Sequence, residues 1–478
     1  MNHSRRSTEI AILGAGPAGL AAALELARHG RDDLLLLDRH PIPGGLSRTE
    51  VFEGNRFDVG PHRFFTASRE INALWHELLG DEFLPVQRLT RIFYKKKLFR
   101  YPLEAVDALR NLGLRESVTS MLSYAASQFR RTKGEARTFE EWVSGRFGTK
   151  LYETFFKTYT EKVWGIPCRE IGAEWASQRI KGIDLKTVVT NALFKHRVQA
   201  KTLVDEFDYP SLGAGMMYER MWERASGARR ELLLKTDVTK IRRDGMRVTE
   251  IEARAADGTT MVVRPGHVFS GIPLTLMLGM LEPAVPEDVR RAIDALYYRD
   301  HITVNIVAEG TDLFPDQWIY VHAPEVRMAR MANFNNFSSR MAARPGTSVI
   351  SIEYFAFRGD DLWNRPDDEL KALAARELAL MNLLPPERIL GSFVTRETES
   401  YPTYFLGFQE AYEKVKAFAS GLENLSCVGR AGLYKYNNMD HSIATGLAAA
   451  RKFIGVTPEA DVWSLNTDEE YQENASRK

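Results

Sequence analysis

The start of the chain alternates between short apolar runs and one helical pattern. Two runs of aliphatic residues, 10–13 and 34–37, have the length and composition of buried strands. Between them, residues from about 17 to 29 place alanine and leucine at helical spacing. The pattern predicts a strand, a helix and a second strand, joined by short turns.

The turn between the first strand and the helix is rich in glycine and reads Gly14-Ala15-Gly16-Pro17-Ala18-Gly19. In such a turn the first glycine allows the sharp bend, the second lets the backbone approach a pyrophosphate, and the third lets helix and strand pack closely. The helix then presents free N–H groups and the positive end of its dipole to phosphates. Asp38 ends the second strand, where it can accept hydrogen bonds from ribose hydroxyls. The segment predicts a dinucleotide site.

Two other interpretations of this segment are less favoured. An Ala/Gly-rich helical hairpin would not require an acid at the end of the second strand. A twin-arginine export signal would use Arg5 and Arg6 before an apolar stretch, but Pro17, the glycines and Glu25 interrupt that stretch. The two widely separated cysteines fit a reducing compartment, so we expect a cytoplasmic protein.

Composition narrows the class of protein further. The 478 residues suggest two or three lobes, and 64 Lys+Arg against 63 Asp+Glu leave a net charge of +1, which argues against a nucleic-acid-binding protein. Cys168 and Cys427 are the two cysteines, so neither a disulfide framework nor a zinc cluster is expected. The sequence contains no run of about 18 apolar residues, so no membrane span is predicted.

The middle of the chain changes character twice. Residues 91–103 alternate aromatic and basic side chains, as RNA-binding or membrane patches do, although a solvated hairpin turning at 95–97 is favoured. Helical periodicity dominates from 104 to about 194, with a capping box at 138–141. Strands follow in 231–252 and 259–270, with turns at 244–245 and 265–266.

The last third of the chain predicts a sheet and two further helices. Strands are expected at 301–308, 318–322 and 348–357, and helices at 367–381 and 442–454. The domain prediction is a discontinuous nucleotide-binding domain (1–85, 216–275 and 411–465), a largely helical insert (86–215), a substrate-binding sheet domain (276–410) and a polar tail (466–478).

Taken together, these motifs resemble the glutathione-reductase-type FAD fold of amine oxidases, protoporphyrinogen oxidases and UDP-galactopyranose mutases. The resemblance implies an α/β fold with a Rossmann-like FAD domain, a mixed-sheet substrate domain and an inserted helical lobe. The resemblance to the mutases is the most detailed and extends, in the same order, over segments 60–66, 92–99, 159–165, 178–180 and 429–440.

The resemblance implies a role for each matching residue. His62 would lie beside the isoalloxazine, Trp164 would line the sugar pocket, and Tyr436 would hydrogen-bond the substrate. Arg179 and Arg430 would bind a diphosphate, as the guanidinium fork allows. Further substrate or catalytic candidates are Arg299, Tyr209 and Asn438. Non-covalent FAD would contact Gly14, Gly16, Pro17, Ala18, Gly19, Asp38, Gly45, Leu46, Arg48, Val238, Gly429, Arg430, Met439, Asp440 and Ser442.

Each of these residues also has a purely structural interpretation. His62 would then be an ordinary surface histidine and Trp164 a core residue, while Arg179 and Arg430 would form structural ion pairs. Three departures from the mutases affect the substrate side. Met328 stands where they carry a phosphate-binding tyrosine, Asn438 where they carry an aspartate, and the segment after Arg179 lacks a second arginine.

Three functional hypotheses remain open. The first is a mutase-like isomerase acting through flavin N5 on a nucleotide-linked or diphosphate-bearing sugar or glycoside in carbohydrate biosynthesis, with NAD(P)H as external reductant. The second is an FAD-dependent oxidoreductase that takes hydride from a small-molecule substrate. The third is a non-catalytic flavoprotein. Neither a G-x-S-x-G elbow nor an H-E-x-x-H zinc motif occurs in the sequence.

Overall fold

The structure is a computed structural model that describes residues 3–103, 105–129, 136–173, 175–176 and 206–465. Its strands are β1 (His3–Leu13), β2 (Leu34–Leu37), β3 (Thr49–Phe52), β4 (Asn55–Asp58), β5 (Phe83–Gln87), β6 (Thr90–Tyr94), β7 (Lys97–Arg100), β8 (Glu206–Pro210), β9 (Arg230–Leu233), β10 (Thr236–Asp244), β11 (Arg247–Ala255), β12 (Thr260–Ser270), β13 (Leu281–Glu282), β14 (Tyr298–Glu309), β15 (Trp318–Val321), β16 (Arg330–Asn333), β17 (Thr347–Ala356), β18 (Ile389–Pro402) and β19 (Leu425–Cys427).

The helices are α1 (Pro17–Arg28), α2 (Arg69–Leu79), α3 (Ala105–Leu112), α4 (Leu114–Phe129), α5 (Phe139–Phe147), α6 (Thr149–Tyr152), α7 (Thr158–Trp164), α8 (Gly215–Ala225), α9 (Leu274–Gly279), α10 (Glu287–Ala295), α11 (Asp367–Leu380), α12 (Phe408–Ser420), α13 (Gly429–Gly432) and α14 (Met439–Phe453). The predicted elements at 10–13, 17–29 and 34–37 are thus confirmed as β1, α1 and β2.

The first sheet runs in the order β13-β10-β11-β12-β1-β2-β9, and β19 also pairs with β12. Strands β9, β2, β1, β12 and β19 pair in parallel, whereas β10, β11 and the first half of β12 form an antiparallel meander. The carboxyl end of β1 therefore lies in the middle of a parallel sheet. Ligands bind in such folds at this edge.

The turn predicted at 265–266 is wrong, because β12 continues straight through these residues. Pro265 pairs with Thr8 on the β1 side. On its other side, β12 pairs with β11 at 260–263 and with β19 at 268–270, so Pro265 lies between the two ladders. A proline, which lacks an N–H donor, interrupts neither ladder at that position.

The second sheet runs in the order β18-β14-β17-β16-β15-β6-β7. Its last two strands are the predicted hairpin, which turns at Lys95 and Lys96 with positive φ angles of 49° and 59°. Strand β6 pairs in parallel with β15, so the hairpin extends the sheet formed by residues 298–402. The sequence had placed it in the helical insert of residues 86–215.

Helices α3 to α7 follow this hairpin. The predicted capping box is present at the start of α5, where the Thr138 side chain accepts from the Glu141 N–H at 3.2 Å and the Glu141 carboxylate accepts from the Thr138 N–H at 3.3 Å. In the part of the chain that the structure describes, every helix is too short or too polar to cross a membrane.

The second sheet has two chemically different faces. On one face Ile302, Val304 and Tyr354 pack with α11 in a buried apolar cluster. The opposite face carries His301 and Glu353, both fully or almost fully buried. Since buried charged side chains need specific partners, this second face indicates a functional surface.

Candidate active site

A cavity of about 370 Å³ lies between the two sheets. It begins at the glycine turn and α1, continues past the loop 59–65, and reaches the charged face of the second sheet and the start of α14. All of the predicted cofactor residues except Arg48 line it: Gly14, Gly16, Pro17, Ala18, Gly19, Asp38, Gly45, Leu46, Val238, Gly429, Arg430, Met439, Asp440 and Ser442. His62, Tyr436 and Asn438 also line it.

The glycine turn packs as closely as its sequence predicts. Gly14 has a φ of +104°, which favours glycine. A Cβ on Gly19 would lie 2.0 Å from the Gly14 carbonyl oxygen, so only glycine fits there. A Cβ on Gly45 would lie 3.1 Å from the Cα of Gly16, which shows how closely the second loop approaches the first. Backbone atoms of these glycines therefore form the cavity wall at the turn.

A second helix, α14, also begins at the cavity. It crosses α1 at Gly446, where a Cβ would lie 2.1 Å from the carbonyl oxygen of Ala18. The helix starts three residues before the predicted position, because Asn438 caps it in a reciprocal pair with His441. The positive ends of two helix dipoles therefore meet at one cavity, which favours a negatively charged ligand.

Asp38 is held in place by backbone N–H groups. Its Oδ2 accepts from Ala15 N at 2.6 Å and its Oδ1 from His40 N at 2.7 Å. These bonds fix the carboxylate at the end of β2, and each oxygen keeps a lone pair for a further donor. Its proposed contact with ribose stays a prediction.

Arg48 lies behind the cavity wall. Its guanidinium donates to Glu50 at 2.6 Å, to the Gly45 carbonyl at 3.0 Å and to the carboxylate of Glu397. Glu397 lies on β18 and itself lines the cavity. Arg48 and Glu397 are each 2% exposed, so this buried ion pair joins the glycine-rich loop to the second sheet.

His62 lies on the loop between the two halves of the cavity. Its Nδ1 is buried and has no hydrogen-bond partner of ordinary geometry among the described residues. Burial, together with the nearby charge of Arg430, lowers its pKa from the ordinary 6.5 to about 3. A neutral ring with an unpartnered nitrogen fits a site where a polar heterocycle binds, as a flavin ring would.

The charged face of the second sheet meets the cavity at Arg330 and His301. Both donate to one oxygen of Glu353: Arg330 through Nη2 and His301 through Nε2, at 3.0 Å for the histidine. Burial raises the pKa of Glu353, but Arg330 and His301 outweigh it and lower that pKa to about 2. Glu353 is therefore a carboxylate at working pH.

Arg430 lies between two tyrosine rings. Its guanidinium carbon is 5.1 Å from the ring centroid of Tyr401 and 4.9 Å from that of Tyr436. Its hydrogen bonds among the described residues reach carbonyl oxygens, those of Asn437 at 2.7 Å and Ser400 at 3.4 Å. The charge of Arg430 is thus not neutralised by a carboxylate in this part of the chain.

Three predicted site residues do not line the cavity: Trp164, Arg299 and Tyr209. Trp164 is 5% exposed and packs against Trp175, 4.6 Å between centroids, and against Tyr436 at 6.0 Å. Arg299 turns toward the carbonyls of Val163 and Phe355 at 3.2 and 2.8 Å, and burial lowers its pKa to about 10.

Tyr209 lies in the core, where its hydroxyl donates to Asp58 at 2.6 Å. Because Asp58 accepts from the hydroxyl, the aromatic ring of Tyr209 can pack in the apolar core. The predicted Arg179 lies outside the described residues.

The structure shows why Met328 departs from the mutase pattern. Its side chain is buried in the apolar cluster on the far face of the second sheet. Its backbone N–H donates to Glu377 at 3.0 Å. This position therefore offers nothing to a ligand in the cavity.

Three residues that line the cavity were not predicted from the sequence: Arg330, His301 and Tyr401. Arg330 begins β16, His301 follows two charged residues at the start of β14, and Tyr401 lies near the end of the largely polar β18, so no apolar background marks them in the sequence. The register that brings Arg330 opposite Glu353 is formed by β16 and β17, and strand pairing between distant segments is not visible in a single sequence.

Comparison with known proteins identifies the family. Residues 17–453 match the family described as flavin-containing amine oxidoreductase. The chain belongs to this family. It is a flavoenzyme, and the cavity fits a flavin dinucleotide because it combines a bare glycine turn, two helix N-termini and an unpartnered His62 nitrogen.

Two curated relatives are sugar-nucleotide mutases. The chain is 26% identical to a probable UDP-galactopyranose mutase of Klebsiella pneumoniae, over 93% of this chain and 94% of the relative. It is 27% identical to the dTDP-fucopyranose mutase of Escherichia coli over 34% of this chain and 44% of that relative. The predicted resemblance is confirmed.

Solved structures show the same fold. A reduced UDP-galactopyranose mutase superposes with a TM-score of 0.82 at 22% identity, with 95% of each chain covered. A putative protoporphyrinogen oxidase from Exiguobacterium sp. 255-15 gives 0.68 at 17% identity, covering 94% of this chain and 99% of that one. The predicted fold class is therefore confirmed.

Proposed function

We propose that FAD binds non-covalently in the cavity. The glycine turn with Pro17 and Ala18 would face the pyrophosphate, Asp38 would accept from the ribose, and His62 would flank the flavin ring. Asp440 on α14 is positioned by Thr66, whose hydroxyl donates to it at 2.9 Å. The glycine turn and the two helix dipoles support this arrangement of donors around a dinucleotide.

We further propose that the enzyme isomerises a sugar carrying a diphosphate, as a nucleotide sugar does. The observation that carries this proposal is the Arg430 guanidinium, which lines the cavity between two tyrosine rings without a carboxylate partner among the described residues. A guanidinium binds phosphate oxygens through parallel hydrogen bonds, and tyrosine offers both a flat face and a hydroxyl to a sugar.

The positive charge around Arg430 and Arg330 argues against an amine bound in that part of the cavity. A protonated amine would meet Arg430 and Arg330 in this part of the cavity, where one oxygen of Glu353 already accepts from Arg330 and His301. Because like charges repel most strongly where water is excluded, a cationic substrate is disfavoured. An anionic diphosphate gains from the same arrangement.

Each residue then has a defined task in this proposal. Arg430 binds the diphosphate, Tyr436 and Tyr401 orient the sugar, and neutral His62 closes the cavity beside the ring. When bound and reduced, FAD supplies a nucleophilic N5. NAD(P)H is the proposed external reductant. The mutase names of the two curated relatives support the same substrate class.

Visible spectroscopy tests this proposal. The purified, oxidised protein is mixed without oxygen with a panel of UDP- and dTDP-sugars, and its flavin absorbance is followed. A sugar-nucleotide isomerase shifts the flavin bands on binding and keeps the flavin oxidised. Bleaching by a substrate without added reductant would instead identify the oxidoreductase alternative, and the absence of any response to every sugar nucleotide would contradict the proposal.

A further inference from the structure

His301 is held differently from the neighbouring His62. It lies on β14, is 3% exposed and lines the cavity, and its Nε2 is 3.0 Å from Oε2 of Glu353, a residue with no exposed surface. His62 has no such partner for its Nδ1 among the described residues. A carboxylate therefore orients the His301 ring, whereas none in the described part of the chain orients the His62 ring through Nδ1.

The carboxylate fixes the tautomer of His301. Glu353 is ionised because Arg330 donates to the same oxygen, so it can only accept a hydrogen bond from Nε2. The proton of a neutral His301 ring then resides on Nε2, and Nδ1 is the ring nitrogen left for a ligand. A carboxylate that orients a histidine in this way is a recurrent feature of acid–base catalysis.

Packing keeps the ring in this orientation. The ring of Phe355 lies 5.3 Å from that of His301 at an interplanar angle of 32°. Gly60 lies on another side of the pair: a Cβ there would be 3.8 Å from Cε1 of His301 and 3.6 Å from Oε2 of Glu353, and its φ is +86°. The loop that carries His62 therefore starts directly over the His301–Glu353 pair.

The other polar groups near His301 come from three strands and one loop. Thr303 Oγ1 lies 3.4 Å from Nε2 on the same strand, and Arg330 of β16 shares Glu353. On β18 the register partner of His301 is Glu397, whose carboxylate binds Arg48. On the loop 59–65 the neighbouring group is His62, which is neutral. Glu353 is thus the carboxylate in direct contact with the His301 ring.

We propose that His301 is the acid–base residue of the cavity and that Glu353 is a positioning residue that sets its tautomer. This role rests on the proposed sugar isomerisation. When one ring C–O bond breaks and another forms, a proton leaves one sugar hydroxyl oxygen and another oxygen receives one. His301 donates a proton from Nδ1 to the ring oxygen as the first C–O bond breaks and takes one from the attacking hydroxyl as the second forms, so no proton is gained or lost overall.

Two measurements test this role, and the first does not depend on activity. Long-range ¹H–¹⁵N spectra of ¹⁵N-histidine-labelled holoenzyme are recorded for the wild type and for His301→Gln, which assigns the signal. The expected neutral tautomer carries its proton on Nε2. In Glu353→Gln that tautomer loses its dominance. A proton on Nδ1 in the wild type would overturn the proposal.

The second measurement is the pH profile of kcat for the reduced enzyme. His301→Gln is expected to lower kcat about 10²- to 10⁴-fold and to remove one limb of the profile, with little change in KM or flavin content. Added imidazole should restore part of the rate. His267→Gln is the matched control, since His267 bonds Ser426 at 3.0 Å and does not line the cavity.

The outcomes separate the two proposals. If the wild type converts a sugar nucleotide and His301→Gln converts it equally fast with the same pH profile, the role of His301 is wrong and the proposed function stands. If the wild type converts none, the proposed function fails, and the acid–base role fails with it.

Discussion

Arg430 lies over the ring of Tyr436, with its guanidinium carbon 4.9 Å from the ring centroid. Its Nε donates to the Asn437 carbonyl at 2.7 Å, which fixes the orientation of the guanidinium. Its Nη1 donates to the Ser400 carbonyl at 3.4 Å, and no carboxylate bonds Arg430 among the residues described, so its charge is available to an anion. The position thus combines a fixed cation with an aromatic wall.

Arg430→Ala is expected to weaken binding of UDP or dTDP about 10- to 100-fold, because a hydrogen bond to a charged group contributes about 1.5–3 kcal/mol. Isothermal titration with the nucleoside diphosphate measures the effect. Arg430→Lys should restore part of the affinity through its charge. Arg220→Ala is the control, since Arg220 is exposed and pairs with Glu223. Equal affinities in Arg430→Ala and Arg220→Ala would refute the assignment.

Gly19→Ala tests whether the glycine turn binds the cofactor. The added Cβ would lie 2.0 Å from the Gly14 carbonyl oxygen, so α1 must move away from the turn. We expect purified Gly19→Ala to contain far less than one FAD per chain, measured by absorbance of the released flavin. Gly279→Ala is matched in chemistry and meets no atom within 4 Å. Full flavin content in Gly19→Ala would show that FAD binds elsewhere.

Arg48→Ala should destabilise the fold. It leaves Glu397, which is 2% exposed, as a buried carboxylate without its main partner. Breaking such a pair costs about 3–5 kcal/mol, whereas an exposed pair contributes about 0–1 kcal/mol. Urea unfolding compares Arg48→Ala with Arg290→Ala, whose exposed side chain pairs with Asp294. Similar losses in both variants would mean that the Arg48 pair does not join the loop to the sheet.

Asp58 gives the stability a specific pH dependence. Burial raises its pKa from 3.8 to about 7, although bonds from Thr49, Tyr209 and the Ala214 N–H oppose the shift. The folded state therefore binds a proton more tightly than the unfolded state. The stabilisation is complete below about pH 4 and is lost as the pH rises through 7, at no more than about 1.4 kcal/mol per pH unit.

Asp58→Asn should flatten this dependence, because the amide does not ionise. The measurement is the free energy of unfolding in urea at pH 5 and pH 8. Wild type is expected to lose more stability over this interval than Asp58→Asn, and the exposed control Asp81→Asn should behave as wild type. A wild type whose stability rises from pH 5 to pH 8 by the same amount as Asp58→Asn would exclude a raised pKa.

The cofactor half of the site was predictable because its residues are close in sequence. Gly14, Gly19 and Asp38 belong to one strand-turn-helix-strand unit, and their spacing alone determines their arrangement. The start of α14 was predicted three residues too late, since an asparagine cap paired with histidine is a weaker signal than a serine or threonine capping box.

The substrate half depends on contacts between distant segments. Arg330 and Glu353 meet through the pairing of β16 with β17, and Arg430 reaches Tyr401 across the interval between β18 and α13. Tyr209 and Arg299 carry functional groups, yet each finds a partner in the core. A sequence identifies which residues can react, but tertiary packing decides which of them face the cavity.

The most direct test of the proposed isomerase is turnover in the two redox states. UDP- and dTDP-hexoses are incubated without oxygen with oxidised enzyme and with dithionite-reduced enzyme, and the products are followed by NMR and anion-exchange chromatography. We expect the reduced enzyme alone to interconvert pyranose and furanose forms, with no net consumption of reductant. Net oxidation of the substrate, coupled to flavin reduction, would contradict it.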